Sequence, residues 1–167
     1  MKDNALREQT HNIAPVFDAR SRILVLGSFP SPASRREGFY YGNPANRFWR
    51  VMSAALGCDA PGSVEEKRAM LLGGGVALWD VIASCRIVGA SDASIEDVVP
   101  NDLAIILGAA DISRVVTNGA AAHRLYRRFQ MESAGMEDVC LPSTSPANAA
   151  WSLEALTKVW TSAIKLV

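Results

Sequence analysis

The residue types most able to do chemistry gather in one stretch of the sequence, residues 23–49. After an apolar segment and a Gly/Ser/Pro loop come two tyrosines, Tyr40 and Tyr41, and two asparagines, Asn43 and Asn46. An asparagine amide carries a donor and an acceptor, and an aromatic ring offers a flat apolar face. A nucleobase is flat and polar at its edges, so we interpret this stretch as one wall of a pocket for a single base.

Other kinds of catalytic site find little support in the sequence. His11 and His123 are the two histidines, and His123 lies beside arginines in a predicted helix, where we expect it to face solvent or a phosphate. No G-x-S-x-G motif or suitable base accompanies the serines near Gly27 and Ser143, so a Ser-His-Asp hydrolase is hard to build. No G-x-G-x-x-G or P-loop pattern follows the first apolar segment, which argues against a bound dinucleotide or nucleoside triphosphate.

Short apolar segments alternate with predicted helices along the chain. The segments predicted as strands are residues 23–26, 76–79, 114–117 and 139–141. Their continuous apolar character is typical of strands buried on both faces of a parallel sheet. The alternation predicts one α/β domain over residues 1–167, a three-layer α/β/α sandwich with a central, mainly parallel four-stranded sheet. Residues 1–14 show no clear period and are predicted to form an irregular or loosely helical lead-in.

Capping residues indicate where three helices begin. Asn43-Pro44 combines an asparagine N-cap with proline at the first helical position. Ser63 and Glu66 have the spacing of a capping box. Asn148 precedes a C-terminal amphipathic segment and is a candidate N-cap for it. Together these signals predict the N-terminal ends of three helices.

Polar loops follow the predicted strands. They cover residues 27–46, 80–92, 117–119 and 142–148. Ligands of open α/β sheets bind beyond the carboxyl ends of the strands, so we expect the functional site where these loops meet.

The segment 80–100 is mixed in character and rich in small polar residues. We predict a functional loop with a helical turn there. Asp80 and Asp92 lie in this segment, and we expect them to brace the loop, with the holding of a water or another side chain as the alternative.

The composition is typical of an ordinary globular protein. The 167 residues carry a formal net charge of +0, with 49% hydrophobic and 20% charged residues. No run approaches the roughly 20 apolar residues of a membrane span, and the polar N-terminus lacks the apolar core of a signal peptide, so we expect a cytoplasmic location. The three cysteines lie in apolar sequence, which favours buried, reduced thiols. We expect the four tryptophans in the core, and no metal or cofactor.

Six blocks of sequence occur in an order that resembles a known family. The blocks are GSFPSPAS, YYGNPANRFW, ALWDVIASC, SDASI, TNG and LPSTSPANAAWSLE, and they span residues 27–154. This set resembles the hypoxanthine-DNA (deoxyinosine) glycosylases of the uracil-DNA glycosylase superfamily. The resemblance implies that family's fold, a DNA partner containing a deaminated base, double- or single-stranded, and hydrolysis of the N-glycosidic bond after the nucleotide is flipped out of the stack.

The resemblance also implies roles for individual residues. Asn46 matches the asparagine of the P-x-N-x-F-W motif and is the first candidate for the catalytic amide. Tyr41 matches the aromatic residue on which the flipped base stacks, and alternation places one of Tyr40 and Tyr41 in the core. Residues 141–148 match the second motif, which enters the minor groove. Phe29 is a departure, because related enzymes carry at this position the asparagine that positions water.

Further site residues follow from their own chemistry. Asn43 is the second candidate for the catalytic amide, although its predicted N-cap role already accounts for it. Backbone amides around the base would come from Gly27, Ser28 and Phe29. Contacts to DNA are expected from Asn118, Gly119, Ser143, Thr144, Ser145 and Pro146. Phosphate contacts could also come from Arg35, Arg36, Arg47, Arg124, Arg127 and Arg128.

These features predict a monofunctional DNA glycosylase that removes hypoxanthine and acts as a monomer, with uracil as the main competing base. No lysine lies in the first motif to form a Schiff base, so strand cleavage is not expected. Two alternatives stay open. A catalytically silent DNA-binding member would fit the presence of Phe29, and a small-molecule nucleoside hydrolase or esterase would fit the neutral net charge.

Overall fold

The computed structural model describes residues 5–165, which form two sheets surrounded by helices. The elements are, in chain order, β1 (Arg7–Thr10), β2 (Ile23–Gly27), α1 (Pro32–Glu37), α2 (Phe48–Leu56), α3 (Val64–Gly73), β3 (Val76–Asp80), β4 (Ile82–Ile87), β5 (Glu96–Pro100), α4 (Ala104–Leu107), β6 (Arg114–Asn118), α5 (Ala120–Phe129), α6 (Met131–Ala134), β7 (Asp138–Leu141) and α7 (Leu153–Lys165). A 3-10 turn (Asp92–Ser94) connects β4 to β5.

The central sheet contains the four strands predicted from the apolar segments. Its order is β3-β2-β6-β7, and all three pairs are parallel. Every residue of β2 and β3 is buried, which explains why these segments are continuously apolar. The predicted fold class, an α/β sandwich around a four-stranded parallel sheet, is confirmed.

The direction of the crossovers determines where a ligand can bind. The connection from β2 leads to β3 on one side, and the connection from β6 leads to β7 on the other. Right-handed crossovers in opposite directions place their helices on opposite faces of a sheet. Here α3 contacts β3 and α5 contacts β6 and β7, while α7 packs against α2. The carboxyl ends of β2 and β6 therefore flank a topological switch point, where such sheets bind their ligands.

A second sheet was not predicted. Strands β1, β4 and β5 form an antiparallel sheet in the order β1-β4-β5. The prediction of a loop over residues 80–100 is therefore wrong for most of its length, and the irregular lead-in is wrong at Arg7–Thr10; residues 1–4 lie outside the described residues. Because β1 and β5 are mostly exposed, they carry few apolar residues and give no strand pattern.

Two of the three predicted helix starts differ in the structure. Helix α2 begins at Phe48, not at Asn43-Pro44. Helix α7 begins at Leu153 and its cap is Ser152, whose hydroxyl accepts a hydrogen bond from the amide of Ala155, so the prediction for Asn148 is wrong. The third start is confirmed, because the Ser63 hydroxyl accepts a hydrogen bond from the amide of Glu66 at 3.1 Å.

The core joins both sheets to the helices. Trp49, Trp79 and Trp160 are buried, as predicted, whereas Trp151 is half-buried. Cys85 is buried, but Cys58 and Cys140 are exposed, so the prediction of buried thiols is wrong for two of the three cysteines. They are exposed because the segments that carry them lie at the surface. No helix within residues 5–165 is long and apolar enough to cross a membrane.

A buried carboxylate ties α5 to the edge of the central sheet. The Asp138 side chain is 0% exposed, and its Oδ2 lies 2.6 Å from both Thr117 Oγ1 and His123 Nδ1. His123 therefore binds this carboxylate while its side chain is 32% exposed, so the prediction that it faces solvent or a phosphate holds only in part. Burial acts to raise the pKa of Asp138, but the hydrogen bonds from Thr117 and His123 outweigh it and hold the pKa below the usual 3.8.

Replacing Asp138 by asparagine is expected to destabilise the protein in a pH-dependent way. A carboxyl whose pKa is lowered in the folded state stabilises that state fully above the unfolded pKa, and this stabilisation disappears as the pH falls through the folded pKa. We expect Asp138→Asn to lower the free energy of unfolding by about 1–3 kcal/mol at neutral pH, with the difference shrinking below about pH 4. Urea unfolding from pH 7 to pH 3 measures this, beside the exposed control Asp111→Asn. A difference that is constant with pH would contradict it.

Candidate active site

A pocket of about 350 Å³ opens at the carboxyl ends of β2 and β6. Segments far apart in the sequence form its walls. The predicted site residues that line it are Gly27, Ser28, Phe29, Tyr40, Tyr41, Asn43, Asn46, Asn118, Ser143, Thr144, Ser145 and Pro146. Gly119 does not line the pocket. Its φ is 93°, and a Cβ built there would lie 2.9 Å from Ser143 Cβ, so the glycine allows the loop after β7 to approach the end of β6 closely. The position of the pocket agrees with the switch point of the sheet.

A chain of hydrogen bonds crosses one wall of the pocket. The Asn118 amide nitrogen donates to Tyr41 Oη and to Thr144 Oγ1, each at 3.0 Å. The Thr144 amide donates back to Asn118 Oδ1 at 3.0 Å, and the Thr144 hydroxyl donates to Asn46 Oδ1 at 2.9 Å. Thr144 is fully buried. These bonds fix how the Asn46 and Tyr41 side chains are turned.

The two candidate asparagines differ in what their amide groups can do. Asn46 Oδ1 accepts from Thr144 and from the amide of Phe48 at 2.9 Å, so its oxygen is occupied and its NH₂ group is left to donate into the pocket. Asn43 is exposed, and its Oδ1 accepts from the amide of Ala45 at 2.9 Å, forming an Asx turn. This geometry favours Asn46 as the side chain that contacts a ligand.

The aromatic residues have different surroundings. Tyr40 is buried, and its hydroxyl donates to the carbonyl of Ala14 at 2.9 Å, so it is the tyrosine of the pair that faces the core. The Tyr41 ring stacks on Phe48 with centroids 4.1 Å apart, and Tyr41 also lines the pocket. Burial raises the pKa of both tyrosines above its usual value. Phe29 lines the pocket with the Arg35 guanidinium 5.3 Å from its ring centroid.

Arg47 holds the loop that follows β7. Its guanidinium donates to the carbonyls of Ser145 at 2.9 Å and Asn148 at 3.1 Å, and also to that of Trp151. The backbone amide of Arg47 donates to the carbonyl of Thr144 at 3.1 Å. The prediction that Arg47 contacts phosphates is therefore wrong, because its donors are used within the protein.

The other arginines of the predicted set differ in whether they have partners within the protein. Arg127 lies 3.5 Å from Asp138 and 3.6 Å from Glu137. Arg36, Arg124 and Arg128 are exposed, so for these three the phosphate contact stays a prediction.

Replacing Arg47 by methionine is expected to loosen this loop. Methionine keeps the unbranched stem of the side chain but removes the donors to four carbonyls, those of Thr144, Ser145, Asn148 and Trp151. We expect the affinity for duplex DNA to fall by about tenfold, and the free energy of unfolding by about 1–3 kcal/mol. Fluorescence anisotropy of a labelled duplex measures the first, and urea unfolding the second. Arg50→Met, at an exposed position of α2, is the matched control, and equal affinities of the two variants would contradict the loop-holding role.

Two carboxylates border the pocket, and one of them is hydrogen-bonded to a buried histidine. Asp80 Oδ2 lies 2.8 Å from His11 Nε2, and the two side chains are only 5% and 3% exposed. No role for His11 could be predicted from the sequence, because its partner lies 69 positions away and no local pattern links the two residues. Asp92 Oδ1 accepts from the Ser28 hydroxyl at 2.9 Å. Desolvation raises the pKa of Asp92, but water limits that rise because the residue is exposed overall.

The arrangement is suited to hydrogen bonding and stacking rather than to metal chemistry. Within residues 5–165, no group of three or more His, Cys, Asp or Glu side chains is placed to hold a metal ion. Amides, hydroxyls and ring faces converge on a cavity at the end of a parallel sheet. Such a cavity can hold a flat heterocycle and bind its polar edges.

Comparisons with known proteins agree with this geometry. The family model described as the Uracil DNA glycosylase superfamily matches residues 14–164. A protein of Methanosarcina barkeri named hypoxanthine DNA glycosylase is 32% identical over 153 residues, covering 90% of this chain and 95% of that protein. A protein of the same name from Methanosarcina acetivorans is 35% identical over 139 residues, covering 82% and 87%.

A solved structure shares the fold. The solution NMR structure of a Methanosarcina acetivorans protein, provisionally assigned as a uracil DNA glycosylase, superimposes with a TM-score of 0.81. The two chains are 30% identical, and the alignment covers 95% of this chain and 98% of that one.

Proposed function

This chain belongs to the uracil-DNA glycosylase superfamily, and from that premise we propose that it removes hypoxanthine from DNA as a monofunctional glycosylase. The observation that carries the proposal is the pocket wall in which Asn46, Thr144, Asn118 and Tyr41 are joined by hydrogen bonds. These side chains come from two loops and the end of β6, and hydrogen bonds hold their orientations. A preorganised set of donors is what a leaving base requires.

The reaction breaks the bond between the base and C1′ of the sugar. Negative charge develops on the base, and positive charge on the sugar, as the bond lengthens. Asn46 is the donor we assign to the departing base, because its NH₂ group is the part of the amide that no other protein group occupies within the described residues. A donor aimed at developing charge lowers the barrier without a metal or cofactor.

Selectivity against adenine follows from hydrogen-bond polarity. Hypoxanthine presents an O6 acceptor and an N1–H donor, and adenine reverses both. A pocket that pairs with the first set leaves buried groups unpaired with the second, at about 1–3 kcal/mol for each unmet group. Uracil presents a similar acceptor and N–H donor, which makes it the main competing base.

DNA binding is assigned to the loops around the pocket mouth. We assign entry into the groove beside the flipped nucleotide to the segment from Ser143 to Pro146, and two observations support this: the segment lines the pocket, and Arg47 holds it. The Gly119 amide is not free for a phosphate, because Gly119 is buried and its N–H donates to the carbonyl of Leu141 at 2.9 Å. Because no lysine in the part of the chain described lines the pocket, we expect no Schiff base and no strand cleavage. We expect the protein to act as a monomer.

The test is base release from defined duplexes. The protein is incubated with duplexes that contain deoxyinosine or deoxyuridine, and half of each sample is then treated with alkali to cleave abasic sites. We expect cleaved product only after alkali, and faster product formation from deoxyinosine. Binding without release would identify a silent DNA-binding protein. Release from free inosine, assayed in parallel, would identify a nucleoside hydrolase, and product without alkali would contradict the monofunctional assignment.

A further inference from the structure

We infer that Asp80 is the catalytic base that holds and deprotonates the attacking water, and that His11 is the positioning residue that orients it. The inference rests on the proposed glycosylase function. It addresses the position of Phe29, which cannot orient a water molecule through a side-chain acceptor. The side-chain acceptor that holds the attacking water must therefore lie elsewhere in the pocket.

The Asp80 carboxylate has one oxygen held and one free. Oδ2 takes the hydrogen bond from His11 at 2.8 Å, whereas Oδ1 has no hydrogen-bond partner within residues 5–165. Oδ1 lies beside Gly27, at 2.4 Å from the point where a Cβ would stand, and Tyr41 Oη is 3.2 Å from the same point. All three residues line the pocket. A nearly buried carboxylate thus presents a single unpaired acceptor at the pocket floor.

The backbone around Asp80 is fixed from outside the pocket. The Asn101 amide nitrogen donates to the carbonyls of Asp80 at 2.9 Å and Ile82 at 3.2 Å. The Gln130 amide nitrogen donates to the carbonyls of Val81 and Asn101. These bonds hold the short link between β3 and β4, where the chain leaves the central sheet. The carboxylate therefore stands on a rigid support, as a catalytic group requires.

The tautomer of His11 follows from its second hydrogen bond. The backbone amide of Ile13 donates to His11 Nδ1 at 3.2 Å, so Nδ1 is unprotonated and the hydrogen is on Nε2. The imidazole can then only donate to Asp80 Oδ2. This bond fixes the rotation of the carboxylate and directs Oδ1 to the pocket, which is a positioning role.

The step balances without a further reactant. The water oxygen bonds to C1′ of the flipped nucleotide, and the proton that it loses goes to Asp80 Oδ1. The C1′–N9 bond breaks with its electron pair on the base. The base takes up one proton from solvent, and Asp80 returns to solvent the one proton that it received from the water. The products are an abasic deoxyribose and neutral hypoxanthine. The Asp80 charge also stabilises the positive charge that develops on the sugar.

Single-turnover base release from a deoxyinosine duplex tests the two roles. We expect Asp80→Asn to lower the rate by about 100-fold. His11→Ala should lower it by about tenfold, and His11→Gln should restore most of the rate, because the glutamine amide nitrogen reaches the same position and donates. Asp111→Asn is the control. Asp111 is exposed and lies just before β6, at the amino ends of the strands and away from the pocket, so the rate of this variant should stay within about twofold of the wild-type rate. Binding to a duplex with 2′-fluoro-2′-deoxyinosine, which resists cleavage, should be unchanged in all four.

The outcomes separate this inference from the proposed function. A wild-type protein that releases neither hypoxanthine nor uracil overturns the function itself. An active wild type whose Asp80→Asn variant keeps its rate within about threefold overturns the role of Asp80 alone. Equal rates for His11→Ala and His11→Gln overturn the positioning role. If Asp80→Asn does not bind the fluorinated duplex, the comparison of the rates of His11→Ala and His11→Gln decides whether the inference stands.

Discussion

Replacing Asn46 by alanine is expected to lower the single-turnover rate of hypoxanthine release by about 10²–10³-fold, the usual effect of removing one donor that stabilises developing charge. Its oxygen is occupied by the Thr144 hydroxyl and the Phe48 amide, so the NH₂ group is what the pocket loses. Affinity for the intact duplex should change little, because phosphate contacts supply most of it. Rapid mixing with a deoxyinosine duplex measures the rate, and anisotropy measures the affinity.

Asn46→Asp separates the chemical role from the structural one. The carboxylate still accepts from Thr144 and Phe48, so we expect the free energy of unfolding to stay near that of the wild type. It has no donor, and it places negative charge near a leaving group that becomes negative, so its rate should be at least as low as that of Asn46→Ala. Asn43→Ala, at the exposed Asx turn, is the matched control and should release base normally. Normal turnover by Asn46→Asp would move the catalytic amide elsewhere.

The sequence predicted the central sheet because each of its strands carries its own signal. Strands buried on both faces must be apolar throughout, and β2 and β3 are. The loops after these strands necessarily meet at one edge. Asn46, Asn118 and Thr144 were therefore predicted near one another without any knowledge of their contacts, and the structure joins them.

The missed features depend on contacts between distant residues. His11 follows an exposed strand, β1, whose pairing with β4 carries it to Asp80, and a polar edge strand has no pattern that sequence reasoning could use. Arg47 resembles a surface arginine, yet its partners are carbonyls about a hundred positions away. Backbone carbonyls occur at every residue, so no residue type marks them as its partners. Local patterns predicted the elements, but these two tertiary contacts required the structure.

The same limit applies to how the pocket floor is built. Gly27 ends β2, and in the sequence a glycine at this place is equally typical of a tight turn. In the structure its missing side chain is what allows Asp80 Oδ1 and Tyr41 Oη to approach the backbone from two sides. Glycine is required here because a side chain would collide with neighbouring atoms, and not because the backbone adopts a conformation that other residues avoid.

Gly27→Ala is expected to lower the rate of base release by about 10³-fold, because it disturbs positioning and charge stabilisation together. The added Cβ would stand 2.4 Å from Asp80 Oδ1 and 3.2 Å from Tyr41 Oη. Asp80 cannot move away without weakening its bond to His11, so the methyl group must displace the carboxylate or occupy space needed by the base. Single-turnover kinetics with deoxyinosine, together with binding to the 2′-fluoro-2′-deoxyinosine duplex, measure both effects.

Gly73→Ala provides the matched control for that substitution. Gly73 ends α3, and a Cβ built there meets no atom within 4 Å, so we expect full activity and, since alanine favours a helix, a small gain in stability. Neither glycine has the positive φ that strains other residues, which removes backbone strain as the cause of any difference between the variants. A Gly27→Ala protein that folds and releases hypoxanthine at the wild-type rate would therefore show that the base and the attacking water bind away from the floor formed by Gly27 and Asp80.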